Sequence, residues 1–189
     1  MSNEQQQRTV RIGLLGCGNV GGALVPLIEQ QARTIEARTW LRLEITRVAV
    51  RNMSRDRGIT LADGMLTRDA MAVVTDPDVD LVVEVIGGIE PARELIATAL
   101  AAGKPVVTGN KELLANVGPE LFALADEHGV DLLFEAAVAG GIPLIRPLRE
   151  SLRGEPISRV MGIVNGTTNF ILTKMSEEGA EYGEALAEA

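Results

Sequence analysis

The sequence predicts an α/β fold, a parallel β-sheet wrapped by helices. Two observations carry this. Short apolar runs of strand length alternate along the chain with helix-like stretches, the pattern of repeated β-α-β units. Aromatic residues make up only 3% of the chain, while 20 glycines and many alanines and valines recur throughout, a composition suited to helices packed closely on a sheet.

The elements follow in order. Thr9 to Leu15 is a short apolar run suited to a buried strand. Glycines follow at once, and a helix starts near Asn19 and runs through Ala23 to Glu29, with Pro26 expected near its start, where a missing N–H costs little. Leu41 to Val50 alternates and then turns wholly apolar, a second strand. Met53 to Met71 is short, mixed and glycine-containing, and reads as loop plus a small element. Asp80 to Ile86 is a third strand, ended by Gly87-Gly88. Pro91 to Ala102 reads as a helix with Pro91 in its first turn and Gly103 just past its end. Pro105 to Thr108 is a short strand, Gly118 to Glu127 a helix stopped by Gly129, and Val130 to Glu135 another strand. After Glu135 the character changes. Ala136 to Gly141 contains only Ala, Val and Gly, and Pro143 and Pro147 punctuate a helical stretch. Ile157 to Val164 reads as a strand, and Asn165 to Asn169 as the turn into a further helix. The last residues, from Glu178, are helix-like with no stop signal. At 189 residues the chain allows one domain and part of a second. The boundary falls near Gly140, giving a nucleotide-binding domain over 1–140 and the start of a second domain over 141–189.

Charge and composition exclude several function classes. Lys plus Arg is 18 and Asp plus Glu is 26, a net charge of −8, which disfavours a nucleic-acid binder. No apolar run approaches the length of a membrane span, and the polar opening residues lack a signal-peptide core, so no membrane partner is expected. A lone cysteine allows no intramolecular disulfide and points to a reducing, cytoplasmic location.

Gly16-Cys17-Gly18-Asn19-Val20-Gly21 fits G-x-G-x-x-G between a strand and a helix. Gly16 permits the tight turn, Gly18 lets backbone approach a pyrophosphate, and Gly21 lets the helix pack on the strand. The helix N-terminus then offers N–H groups and its positive dipole end. Gly16, Gly18, Asn19, Val20 and Gly21 are therefore candidate cofactor-binding residues of a Rossmann-type doubly wound sheet; Cys17 reads as a small filler. At the end of the second strand, where an NAD site places Asp or Glu, stands Arg51, with Arg55 and Arg57 nearby. An arginine there suits a 2′-phosphate, so NADP is expected over NAD, which stays possible; the competing reading is a solvated basic loop.

Ligands in such sheets lie beyond the carboxyl ends of the strands. Gly87 and Thr108 end two of them, and Lys111 stands just after. Lys111 can hold a carboxylate or cofactor amide, act as acid or base if desolvated, or simply start a helix and point to solvent. His128, the only histidine, reads as a surface residue at a helix end. No Cys/His cluster supports zinc, and no serine-hydrolase or P-loop motif is present.

Together these segments resemble the homoserine dehydrogenases. The resemblance rests on Ile12 to Gly21, Glu84-Val85-Ile86-Gly87-Gly88, Val107-Thr108-Gly109-Asn110-Lys111, Phe134 to Pro143, and Gly162 to Leu172, with the last two the most specific. It implies reversible NAD(P)-dependent interconversion of L-homoserine and L-aspartate 4-semialdehyde, a step towards threonine and methionine, and a homo-oligomer for the full-length enzyme. It places Lys111 at the nicotinamide and substrate end. It also implies a sodium ion at Glu135, Val138, Gly140 and Ile142, where a carboxylate and backbone carbonyls suit a hard cation.

In the family, the substrate-binding acidic segment and the proton-transferring lysine lie further along than Ala189. The resemblance therefore implies that residues 141–189 begin a mixed α+β catalytic domain, and that these 189 residues bind cofactor with little or no turnover. Two other readings share parts of the pattern: a dehydrogenase of another small substrate, such as aspartate, and a non-catalytic nucleotide-sensing module. A simple sensor would have no need of the Asn165 to Leu172 motif.

Overall fold

The computed structural model of the protein describes residues 7–163 and 165–189. The opening residues 1–6 and Val164, the last residue of an expected strand, lie outside them. The chain divides into two compact units, between Arg146 and Pro147.

The first unit holds a six-stranded sheet in which every pairing is parallel. Its strands are β1 (Arg8–Leu15), β2 (Leu41–Ala49), β3 (Leu66–Thr67), β4 (Leu81–Glu84), β5 (Val106–Thr108) and β6 (Leu132–Leu133), in the spatial order β3-β2-β1-β4-β5-β6. This is the strand order of a doubly wound Rossmann-type sheet, and it reverses direction between β1 and β4. The helices are α1 (Asn19–Thr39), α2 (Ala70–Thr75), α3 (Ala92–Ala101) and α4 (Lys111–His128).

Alternation along the strands supplies both faces of the sheet. Ile12 and Leu14 of β1 pack with Val25 and Ile28 of α1. Leu15, on the opposite face, packs in the cluster that holds Leu95 and Ile96 of α3 and Leu113 and Leu121 of α4. Leu14, Leu15, Val48, Val82 and Val106 are wholly removed from solvent. Each such side chain contributes about 1.5–3 kcal/mol by burial, and Ile96 and Leu100 of α3 and Leu113 and Leu121 of α4 are buried as completely.

Several elements differ from the expectation. The helix α1 begins at Asn19, so Pro26 sits inside it rather than near its start. The helix α4 begins at Lys111, not Gly118, because the Asn110 side chain caps it by accepting from the Leu113 N–H at 3.0 Å; Gly118 and Pro119 are carried inside. The last strand shortens to Leu132–Leu133, and Glu135 opens a 3₁₀ turn, Glu135–Ala137, followed by a second, Ala139–Gly141.

The second unit, Pro147–Ala189, is helical among the described residues. It contains one wide turn (Pro147–Ser151), then α5 (Gly166–Glu177) and α6 (Tyr182–Glu188). Asn165 caps α5, its side chain accepting from the Thr168 N–H at 2.7 Å. The strand expected over Ile157 to Val164 is absent at 157–163, where Val160, Met161 and Ile163 stand 65%, 82% and 77% exposed. Apolar alternation makes a strand only where a neighbouring strand accepts its hydrogen bonds, and none is present there among the described residues. No described helix is long and apolar enough to cross a membrane.

Candidate functional site

A cleft of about 420 Å³ opens at the carboxyl ends of β1, β2 and β4, at the point where the sheet reverses. Its floor is the glycine loop. Gly16 adopts a left-handed φ of +96° and lies so close to β4 that a Cβ there would stand 2.9 Å from the Val85 carbonyl oxygen. Gly18 has open space where its Cβ would be, on a residue exposed to the cleft. Gly21, buried in the first turn of α1, faces the Gly16 carbonyl so closely that no side chain fits.

Of the predicted cofactor residues, Gly16, Gly18, Arg51 and Gly87 line this one cleft. Asn19, Val20 and Gly21 open α1 beside it, with Val20 65% exposed. Arg55 and Arg57 join Arg51 on one wall, and Arg68, which the sequence did not single out, arrives with them after β3. Arg57 is held in place: its guanidinium donates to the Arg55 carbonyl at 2.6 Å and to the Asn52 carbonyl, while its Nε is buried without a partner. Cys17 also lines the cleft. Burial pushes its thiol up from the ordinary range, against a smaller opposing pull from the guanidinium of Arg57.

A buried polar cluster lies behind the Gly87-Gly88 turn. Glu84, at the end of β4, is fully buried. Its Oε1 accepts from the Ile86 N–H at 2.7 Å and the Gly87 N–H at 3.3 Å, and its Oε2 accepts from the Thr108 hydroxyl at 2.6 Å. The Thr108 oxygen in turn accepts from the Asn110 N–H at 3.0 Å, and the Asn110 amide donates to the Gly88 carbonyl at 2.7 Å. Thr108 is thus wholly buried with its hydroxyl turned inward, and Lys111 stands exposed at the first position of α4. Neither is a lining residue of the cleft. Glu84 was missed in the sequence, where the available signal was a carboxylate closing an otherwise apolar strand.

The predicted metal residues all fall on the loop after β6. The Glu135 carboxylate accepts from the Ile145 and Arg146 N–H groups, both at 3.0 Å, and the Val138 carbonyl accepts from the Gly141 N–H at 3.0 Å. Gly140 and Ile142 are exposed. Glu135 and Val138 are therefore already used as acceptors within the loop. No group of three or more His, Cys, Asp or Glu side chains suited to a metal occurs among the described residues. His128 is exposed in the last turn of α4, before the left-handed Gly129.

Comparison with known proteins gives a consistent picture. The family model described as "Homoserine dehydrogenase, NAD binding domain" matches residues 16–135, and that described as "Homoserine dehydrogenase" matches residues 143–189. A homoserine dehydrogenase of Synechocystis sp. is 47% identical over 182 residues, covering 96% of this chain and 41% of that protein. The crystal structure of a homoserine dehydrogenase from Thiobacillus denitrificans superposes with a TM-score of 0.84 at 47% identity, covering 97% of this chain and 43% of that one. A hyperthermophilic archaeal homoserine dehydrogenase in complex with NADPH superposes with a TM-score of 0.76 at 32% identity, covering 96% of this chain and 60% of that one. The chain thus spans about two fifths of the length of the curated relative.

Proposed function

This chain belongs to the homoserine dehydrogenase family, and from that premise we propose that it supplies the cofactor-binding part of an oxidoreductase interconverting L-homoserine and L-aspartate 4-semialdehyde, with NADP as the preferred cofactor. The observation that carries the cofactor half is the cleft itself: a glycine loop on its floor, the N-terminus of α1 beside it, and Arg51, Arg55, Arg57 and Arg68 among its lining residues. The backbone of Gly16 and Gly18 and the N–H groups of α1 would take the pyrophosphate. The arginines would take the 2′-phosphate by charge-assisted hydrogen bonds. The relative solved with NADPH supports the same reading.

A nicotinamide cofactor held here would supply hydride chemistry for the substrate carbonyl carbon. The turns at Gly87-Gly88 and Thr108-Lys111 lie at the ends of β4 and β5, on the side of the switch point away from the arginines, and would hold that half of the cofactor. Lys111, exposed at the first position of α4, would in this reading meet a substrate carboxylate or carry a proton. Residues 1–140 form the cofactor domain in this reading and 141–189 begin the substrate domain. A sodium ion at Glu135, Val138, Gly140 and Ile142 is part of the proposal on donor chemistry alone, one carboxylate with neutral carbonyls. Such an ion would share the Glu135 carboxylate with two backbone amides. The whole enzyme would be a cytoplasmic homo-oligomer acting on a small-molecule substrate.

Thermal shift of the 189-residue chain tests the cofactor half, because a ligand of the native state raises its melting temperature. NADP should raise it at lower concentration than NAD. No shift with either would overturn the reading, and equal shifts would overturn the NADP preference.

A further inference from the structure

We propose that Glu84 is a positioning residue for the nicotinamide half of the cofactor, a role that rests on the cofactor reading above. Three features single it out. It is fully buried, yet it is a carboxylate at the end of an apolar strand. All its side-chain partners donate: the Ile86 and Gly87 N–H groups to one oxygen and the Thr108 hydroxyl to the other. Its backbone carbonyl also accepts from the Gly109 N–H at 3.1 Å.

Those partners belong to two different turns. Ile86 and Gly87 lead into the Gly87-Gly88 turn after β4, and Thr108 and Gly109 into the turn that starts α4. Asn110 closes the circuit, receiving from its own side the Leu113 N–H and donating to the Gly88 carbonyl. One carboxylate therefore sets the separation of the two loops that end β4 and β5. Gly87 and Gly88 both have left-handed φ, +82° and +75°, so this turn has little steric restraint of its own and depends on such bonds.

The placement makes the role selective. The adenosine side of the cleft, with Arg51 after β2 and the glycine loop after β1, shares no hydrogen bond with Glu84. Nor does Glu84 line the cleft, so it acts through the turns rather than on the cofactor. In Glu84→Gln one of the carboxylate oxygens becomes an N–H₂ donor, which faces either two backbone donors or a hydroxyl that loses its acceptor.

The test compares two ligands on the same 189-residue chain: NADPH, which spans both halves, and 2′,5′-ADP, which carries the adenosine half alone. Glu84→Gln is expected to weaken NADPH by about ten-fold, the scale of a lost buried hydrogen bond to a charged group, and to leave 2′,5′-ADP unchanged. Thr108→Val, which deletes one donor at constant volume, should show the same selective loss at smaller size and carries the test if the glutamine variant fails to fold. Parallel weakening of both ligands in Thr108→Val, or unchanged NADPH affinity in a folded variant, overturns the proposal. Wild-type chain that binds neither ligand overturns the cofactor reading instead.

Discussion

A Cβ on Gly21 would stand 2.1 Å from the backbone carbonyl oxygen of Gly16. The glycine loop is therefore closed by backbone against backbone, with no flexible side chain to yield. Gly21→Ala should push α1 off β1 and destabilise the unit by about 1–3 kcal/mol, the range for overpacking. At this chain length each kcal/mol lowers the melting temperature by about 2–4 °C. Gly18→Ala is the contrast, since nothing lies within 4 Å of its added Cβ. It should melt like the parent yet bind NADP weakly, because the space it fills is the approach to the pyrophosphate. Equal melting temperatures for Gly21→Ala and parent would contradict the packing.

Asp80 holds β1 to the turn before β4. It accepts from the Arg11 N–H at 2.8 Å and from the Arg11 guanidinium through both oxygens at 3.0 Å. Those side-chain and backbone bonds pull its carboxyl down from the usual carboxylate range to about 2. A group with a depressed native pKa stabilises fully above its unfolded value, about 3.9, and loses that contribution as pH falls through the native one. Stability should therefore drop between about pH 4 and pH 2, and Asp80→Asn should flatten that part of the curve. Because both partners are partly solvated, the loss at neutral pH should stay near about 1 kcal/mol. Chemical denaturation followed from pH 2 to pH 7 reads both effects; an unchanged acid limb in the variant would rule this pair out as its source.

What the sequence revealed depended on whether the cause was local. The strands β1, β2, β4 and β5 were legible because each is a short apolar or alternating run of strand length. The start of α4 was not, because Gly118-Pro119 imitates a helix start while the true cap is a single Asn110 side chain whose role needs the folded turn. Arg51 was legible from its offset after β2, but Arg68 reaches the same cleft only through the pairing of β3 with β2. Glu84 was hidden for the same reason: its partner Thr108, at the end of β5, is distant in sequence and adjacent only in the sheet. The apolar run at Ile157 failed as a strand because periodicity identifies a face but does not supply the neighbour.

Cys17 gives a chemical readout of the cleft. Burial raises its thiol above the ordinary range, about 8.5, and the nearby Arg57 guanidinium partly offsets that. Alkylation of the native chain at pH 8 should therefore be slower than that of the unfolded chain, with the rate rising at higher pH than for a free thiol. Arg57→Met removes the opposing charge, so the thiol should move further up and the rate at pH 8 should fall again. A faster reaction in the variant would show that Arg57 shields the sulfur rather than favouring its thiolate.

The arginines around the cleft are unequal, and that inequality is testable. Arg51, Arg55 and Arg68 are exposed and make their charge available to a ligand. Arg57 is half-buried and spends donors on the carbonyls of Arg55 and Asn52, tying down the loop after β2. Arg51→Ala should thus weaken NADP by about ten-fold or more, the scale of a charge-assisted hydrogen bond, with NAD unaffected because it lacks the 2′-phosphate. Arg57→Met should also weaken NADP and, unlike Arg51→Ala, lower the melting temperature, since the loop that carries Arg51 loses its brace. Higher salt should reduce the NADP preference of the parent and have less effect in Arg51→Ala, because screening acts on a charge pair that the variant no longer has. Titration of both cofactors at two salt concentrations separates the cases. Equal loss of NADP and NAD in Arg51→Ala would remove the 2′-phosphate from this wall of the cleft.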